Sequence, residues 1–506
     1  MKVALVYPGV STTERYGVDI GEIGGRQAPL GPLYISAYLK KNGIDTSFID
    51  AEARNLSPEE TAREIHSFNP DVVGISSTTV AFKNTAALAK NLDETIPGVP
   101  IVLGGPHATA ATEDALRAAP FAACVLGEGE LTFLELVKAF DSGAPISDVA
   151  GIAFLDKAKR FIRTTPRPRI DDLDTLPPPD RAALGDMNRY RPPVGCYKKT
   201  PVVSIVTSRG CPYGCVFCDN NTFGRKTRYF SPERVVDEIE HAISELGARE
   251  IAFLDDTFPA NRKRIVGILE ILEERGLRFP WTCMANVNDL DEELLSKMRH
   301  SGCWQIAVGI ESGDDEVLRT IRKGITVERV ERVVRAAHAE GILVKGFFML
   351  GLPGETKESV ERTLHLAARL PLSDITCTIA TPIKGTEFHR MAVSGEYGFF
   401  DTDADTSQFN YWRPVFVPDG LTPEFLLDSQ KRMFKNFYTK PGTLLRQLRK
   451  IRNPDTLIRL AKAALKILVN ARNGAPPPKD SPPSAPENDV HSRDSTEKEV
   501  AECPAL

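Results

Sequence analysis

The stretch SRGCPYGCVFCDN, residues 208–220, sets three thiols, Cys211, Cys215 and Cys218, on one short segment in a CxxxCxxC pattern. Thiolates spaced this closely are soft ligands for a single metal centre. Structural zinc takes four ligands, usually as two separated pairs, and no nearby histidine completes a set here. Catalytic zinc takes three protein ligands, but more often from histidine and carboxylate. Iron–sulfur clusters are held by thiolates from short loops, and three thiolates on a four-iron cluster leave one iron open to a small molecule. The spacing favours the cluster and leaves zinc and chance as the alternatives.

The elements around these cysteines alternate between strand and helix. Over residues 1–140, KVALVYP, DTSFID, DVVGISS, PIVLGG and ACVLGEG read as strands with helical stretches between them, SPEETAREIHSF opening on a capping box. The pattern predicts an α/β unit with a parallel sheet covered on both faces, flavodoxin-like or Rossmann-like. Residues 141–200 are rich in turns and proline and read as a surface connector. Six further strand–helix units over 201–400 predict a partial or complete parallel barrel. The cysteines follow the first of its strands, at the end where barrels carry their chemistry.

Residues 401–472 read as a mostly helical extension. Within 441–472, Arg446, Arg449, Lys450, Arg452, Arg459, Lys462, Lys466 and Arg472 face a single acid, Asp455, while Leu457, Leu460, Ala461, Ala464, Leu465 and Leu468 keep helical spacing. Two readings stand for that helix: peripheral contact with an anionic membrane, or packing of its leucines on the barrel. Residues 473–506 have the composition of a disordered tail.

Composition narrows the setting. The chain has 506 residues, 42% hydrophobic and 26% charged, long enough for two or three domains. A net charge of −5 offers no basic excess for nucleic acid. Nine cysteines without paired spacing, no signal-peptide pattern at MKVALVYPGV and no long apolar run place the expected home in a reducing cytoplasm, with the inner membrane face if 441–472 binds lipid. Cys124, Cys283, Cys303 and Cys377 sit in strand-like stretches as core residues.

CPYGCVFC resembles the CxxxCxΦC signature of the radical S-adenosylmethionine (SAM) enzymes. The resemblance implies that Cys211, Cys215 and Cys218 each ligate one iron of a 4Fe-4S cluster, with the amino and carboxylate groups of SAM on the fourth. It puts Phe217 near the adenine and Asp255 and Asp256, ending EIAFLDDTF, near the SAM amino group, although the usual Gly-Gly-Glu is missing. Glu311 and Ser312 in VGIESG would bond ribose hydroxyls, and Lys323 in TIRKG would face the SAM carboxylate. The alternative for each is a strand-end turn or a surface ion pair. GFFMLGLPGET is similar to the fifth-strand motif whose backbone lies by the adenine.

No GxGxxG follows the first strand, which argues against a nicotinamide cofactor. The loops GISSTT, LGGPHAT and LGEGELT instead resemble those of the cobalamin-binding domain found ahead of such barrels. By that resemblance Ser76, Ser77 and Thr78 line a cleft for the nucleotide tail, and Gly104, Gly105, Gly127 and Gly129 let backbone approach the cofactor. The DxHxxG motif is absent: DIGEIGGRQAPLGPL holds no histidine, so cobalt would lack a protein imidazole. His107 is read as a structural or cofactor-edge residue. The family implies a C-methyltransferase acting on an unactivated carbon of a small molecule or a lipid, hopanoid- or isoprenoid-like. The alternatives are an oxidative cyclase resembling the anaerobic magnesium-protoporphyrin ester cyclases and, from another class, a cofactor-binding sensor. An external electron donor such as ferredoxin or flavodoxin is implied, and no further catalytic side chain is assigned.

Overall fold

The computed structural model describes residues 1–11, 14–15, 24–404, 409, 412–443 and 458. The basic segment 441–472, apart from 441–443 and 458, and the tail 473–506 lie outside the described residues.

The N-terminal apolar runs become β1 (Lys2–Tyr7), β2 (Asp45–Asp50), β3 (Val72–Ser76), β4 (Ile101–Gly104) and β5 (Ala123–Val125), paired in parallel in the order β2-β1-β3-β4-β5. Two core clusters, one on each face, bury Val3, Leu5, Leu136 and Val137 on one side and Ala4, Val6, Ile65 and Leu92 on the other. Both faces are therefore covered, as continuous apolar strands require. The capping box read in SPEETAREIHSF forms: Ser57 accepts from the backbone of Glu60, whose carboxylate accepts in return at the start of the helix Pro58–Phe68.

The sheet does not stop at residue 140. Residues expected to be plain connector add a hairpin, β6 (Ile152–Leu155) and β7 (Phe161–Arg163), antiparallel on the β5 edge. Asp156 closes its turn by accepting from the backbone of Ala158 and Arg160. Strands of three and four residues are too short for alternation to stand out in the sequence. The rest of the connector is tied to the barrel, where the Arg181 guanidinium donates to Glu238 and to the Ser204 carbonyl, each at 2.7 Å.

The second sheet begins with β8 (Val202–Ile205), followed by a short hairpin of β9 (Ser208–Arg209) and β10 (Arg228–Tyr229). Then come β11 (Glu250–Phe253), β12 (Trp281–Ala285), β13 (Cys303–Glu311), β14 (Leu343–Leu350) and β15 (Asp374–Ile379), all parallel in the order β15-β14-β13-β12-β11-β8. The two edge strands do not pair, so the barrel is partial and open on one side. Burial alternates along β14: Val344, Phe348 and Leu350 pack under helices, while Lys345, Phe347 and Met349 face the interior. The helix Pro423–Tyr438 covers the outer edge, with Gln430 donating to the Cys377 carbonyl at 2.9 Å.

Candidate active site at the facing sheet edges

The cysteine loop leaves β9 and returns at β10, so a two-residue ladder closes its neck. Inside, Cys211 N donates to the Gly224 carbonyl at 3.2 Å and Cys218 N to the Cys215 carbonyl at 3.2 Å. Val216 N bonds Ile321 O, and Val216 O accepts from Phe388 N. Tyr213 pins the loop's middle by donating to Asp289 beyond β12 at 2.6 Å. Cys211 and Cys215 are half-buried and Cys218 is exposed.

Burial raises the pKa of all three thiols. Crowding by Cys215, Asp256 and Cys211 adds to this at Cys218, which is pushed up to about 12. Such a set becomes thiolate only beside strong positive charge, which is what iron supplies. Among the described residues no three His, Cys, Asp or Glu side chains are gathered around a single-ion site. A cluster differs from an ion in that each thiolate binds its own corner.

Four charged or aromatic groups collect around the thiols. The Lys323 Nζ donates to Glu311 Oε1 at 2.7 Å, both side chains nearly buried, and lies 5.8 Å from the Phe217 ring centroid. Burial lowers the Lys323 pKa, but Glu311 and Cys215 outweigh it and raise it overall. Glu311 sits at φ +64°, a left-handed conformation unusual for a side-chain-bearing residue and typical of functional sites. Gly309 makes the pair possible: a Cβ there would stand 2.3 Å from Glu311 Oε1 and 2.6 Å from Lys323 Nζ. Asp256 reaches solvent on the same side, its carboxyl raised by burial of its surroundings.

Two residues expected beside them turn away. Asp255 is 1% exposed, and its Oδ1 accepts from Thr207 N, Thr207 Oγ1 and Ser208 Oγ beneath the loop neck. Asp255 and Asp256 both lie beyond the end of β11, where the chain turns one inward and leaves the other exposed. Ser312 is fully buried; its Oγ pairs with Thr363 Oγ1 at 3.2 Å and accepts from Asp314 N. Both hold the wall rather than face a ligand. Glu355 of GFFMLGLPGET is likewise buried, accepting from Gly351 N and Leu352 N, with burial pushing its carboxyl up to about 8.

The N-terminal sheet presents a different edge. Ser76, Thr78, Gly104, Gly105 and Gly127 collect at the ends of β3, β4 and β5. Gly105 stands at φ +90°, where a Cβ would meet Ser76 Oγ and Ser77 O at 2.9 Å, whereas nothing lies within 4 Å of the Cβ position of Gly104. Gly127, at φ +72°, donates its N–H to Thr109 Oγ1 at 3.0 Å. Ser77 is fully buried with its Oγ on Thr85 and Thr78, and Gly129 abuts Ile35, so these two shape the edge from behind. His107 is buried, stacks on Phe82 at 4.0 Å and sits 3.3 Å from Thr79 Oγ1, and its Nε2 has no partner. Burial pushes its pKa down to about 4, so the imidazole is neutral.

A buried ionic clamp, invisible in the sequence, joins the two edges. Arg209, two residues before Cys211, donates to Glu128 at 2.8 Å and to Glu130, both in LGEGELT of the first domain. Arg228 donates to the other oxygen of Glu128 at 2.7 Å and to Ile170 O. All four side chains are about 95% buried. Burial favours the neutral Glu128, but Arg228 and Arg209 outweigh it and hold the carboxyl below its usual value. The cysteine loop and the glycine loops are thus locked face to face.

Comparison with known proteins decides the family. Residues 205–367 match the Radical SAM superfamily and residues 16–137 match the B12 binding domain. The chain is 34% identical over 453 residues to an uncharacterized methyltransferase of Pyrococcus horikoshii, covering 88% of this chain and 95% of that protein. The protein is a cobalamin-binding radical SAM enzyme. It is also 29% identical over 451 residues to the anaerobic magnesium-protoporphyrin IX monomethyl ester cyclase of Rubrivivax gelatinosus, covering 88% and 78% of the two chains. The fold of this radical SAM enzyme matches TsrM from Kitasatospora setae, TM-score 0.63 at 18% identity over 90% of this chain and 89% of that one. It likewise matches OxsB, TM-score 0.69 at 16% identity over 93% and 71%.

The cofactors of this radical SAM enzyme are a 4Fe-4S cluster, SAM and cobalamin. Its residues fit them: three loop thiols for the cluster, mixed charges beside them for a zwitterion, and an open glycine edge at Gly104 for a large neutral group.

Proposed function

We propose that this protein is a C-methyltransferase acting on an unactivated carbon of a small molecule or lipid. The observation that carries this reading is that the Arg209–Glu128 clamp holds the cysteine loop and the glycine loop LGEGELT together, while a cavity lined by residues of both domains lies between the two sheets. Kinship with a protein named a methyltransferase, over most of both chains, supports the same choice. A hopanoid C-3 methylase of Methylococcus capsulatus is 27% identical over 386 residues and motivates the lipid class.

When bound, the cluster with SAM supplies one-electron chemistry at carbon, and cobalamin supplies a methyl carrier. In this proposal Cys211, Cys215 and Cys218 hold the irons. Asp256 would face the SAM ammonium, Lys323 its carboxylate, Phe217 the adenine, and Glu311 the ribose while orienting Lys323. Ser76, Thr78, Gly104, Gly105 and Gly127 receive the tail of cobalamin, and His107 buttresses that edge through Phe82. The protein's part is placement and exclusion of water. An external one-electron donor, of the ferredoxin or flavodoxin kind, completes the scheme.

The test is anaerobic reconstitution with iron, sulfide, hydroxocobalamin, a strong reductant and methyl-labelled SAM, using a lipid extract as substrate source. Label entering an extractable product, with S-adenosylhomocysteine and 5′-deoxyadenosine rising together, is the expected result. Deoxyadenosine with no label transfer would overturn methyl transfer. It would favour the cyclase reading, for which the Rubrivivax gelatinosus relative speaks.

A further inference from the structure

The cavity between the domains has a volume of about 500 Å³. Its described lining comes from both sides: Tyr7, Arg15, Arg26 and Glu52 from the first domain, and the inward residues of β11 to β14 from the barrel. The barrel wall is largely apolar, with Leu254, Met284, Ala307 and Phe347. Three cations, Arg15, Arg26 and Lys345, stand against one carboxylate, Glu52.

That single carboxylate is already engaged, since Arg15 bonds Glu52 at 2.7 Å. Arg26 is held by neutral oxygens, Asn55 Oδ1 and Ala53 O. Lys345 is different. It rises from the inner face of β14 beside its register partner Asp374 of β15, whose Oδ1 accepts from Tyr438, and none of the ion pairs among the described residues includes its Nζ. Its polar contact is the Cys196 thiol at 3.8 Å, a weak acceptor, and its Nζ lies over the Phe347 ring, 5.3 Å from the centroid. On the adjoining strand Gln305 lines the same cavity, 96% buried, and its Nε2 has no hydrogen-bond partner. The register puts Ala307 opposite Lys345 and Gln305 one inward position below it.

A half-buried ammonium facing an apolar chamber is better satisfied once an anion meets it. A ligand with an apolar body and one carboxylate would match both the wall and the charge. A single ammonium flanked by a neutral amide suits a monoanion.

We propose that this cavity receives an apolar substrate bearing a carboxylate, and that Lys345 binds that carboxylate with Gln305 beside it. The inference rests on the cavity being the substrate site of the proposed reaction, but not on the reaction being methyl transfer.

The test uses reconstituted holoenzyme and a matched pair of probes, 1-pyrenebutyrate and 1-pyrenebutanol, measured by anaerobic equilibrium dialysis. The wild type should prefer the butyrate by about tenfold, the range expected for a hydrogen bond to a charged group. Lys345→Met should remove that preference and leave butanol binding unchanged, while Lys345→Arg should retain most of it. The visible spectrum and content of bound cobalamin should be the same in all three proteins. Equal binding of the two probes to wild type overturns the proposal, and so does a preference that survives Lys345→Met. Loss of cobalamin from Lys345→Met and Lys345→Gln alike would assign the residue to the corrin seat and overturn it as well. If Lys345→Met fails to fold, Lys345→Gln and the wild-type ratio decide. A failed methyl-transfer assay with an intact carboxylate preference would sink the reaction and leave this inference standing.

Discussion

The two sheet edges joined by the Arg209–Glu128 clamp are built on opposite electrostatic plans. The barrel edge gathers three thiols, Asp256 and the nearly buried Glu311–Lys323 pair within one cleft. The N-terminal edge offers hydroxyls, left-handed glycines and a neutral histidine, with no charged side chain among Ser76, Thr78, Gly104, Gly105, His107 and Gly127. Charge suits ligands that are themselves zwitterionic or redox-active. Backbone and small side chains suit a bulky ligand recognised by shape. The difference teaches that one parallel-sheet architecture serves both tasks, because strand ends can carry either charges or bare backbone.

The comparison breaks most completely at the thiols. Cys215→Ala should leave the chain without a stable cluster after reconstitution, shown by iron and sulfide at background and no deoxyadenosine, while cobalamin is still taken up. Loss of cobalamin as well would mean that the two edges are not independent.

The clamp between the edges comes next. Arg209→Met leaves Glu130 buried without its partner and Glu128 with Arg228 alone, which should cost about 3–5 kcal/mol in urea unfolding, or separate the domains in small-angle scattering. A change under about 1 kcal/mol would show that water reaches the carboxylates.

His107 sharpens the claim that the N-terminal edge is neutral. Burial depresses its folded pKa from 6.5 to about 4. The unfolded chain therefore binds the proton more readily, so the contribution is complete above pH 6.5 and is lost as pH falls from 6.5 towards 4. Over that window stability should drop by about 3 kcal/mol more in wild type than in His107→Gln. Parallel pH profiles for the two proteins would refute a buried neutral imidazole.

The smallest effects separate two adjacent glycines. Gly105→Ala forces a side chain to φ +90° against Ser77 and should lower stability by about 1–2 kcal/mol. Gly104→Ala meets nothing in the protein and should stay within about 0.5 kcal/mol of wild type. It should nonetheless weaken cobalamin binding, measured by absorbance titration, if that open space is the cofactor's. Unchanged affinity in Gly104→Ala would move the cobalamin seat elsewhere.

Much of this molecule is legible from local pattern. Apolar runs of strand length with helices between them determine two parallel sheets, because burial on both faces demands continuous hydrophobic strands. The cysteine spacing favours a cluster loop, since three ligands so close in the chain can reach one centre without a distant partner. Other features have no local signal. The direction of a side chain at a strand end depends on where that strand stops: Asp256 and Asp255 are neighbours, yet one faces the cleft and the other anchors Thr207 and Ser208. Glu128 and Arg209 are 81 positions apart, and Arg26, Glu52 and Lys345 meet at one cavity only because the domains dock there. Local pattern carried the two architectures and the cysteine loop. Packing set which carboxylates stay exposed and which are buttresses, and which cation faces the cavity between the domains, because burial and pairing are properties of the packed interior rather than of the chain order.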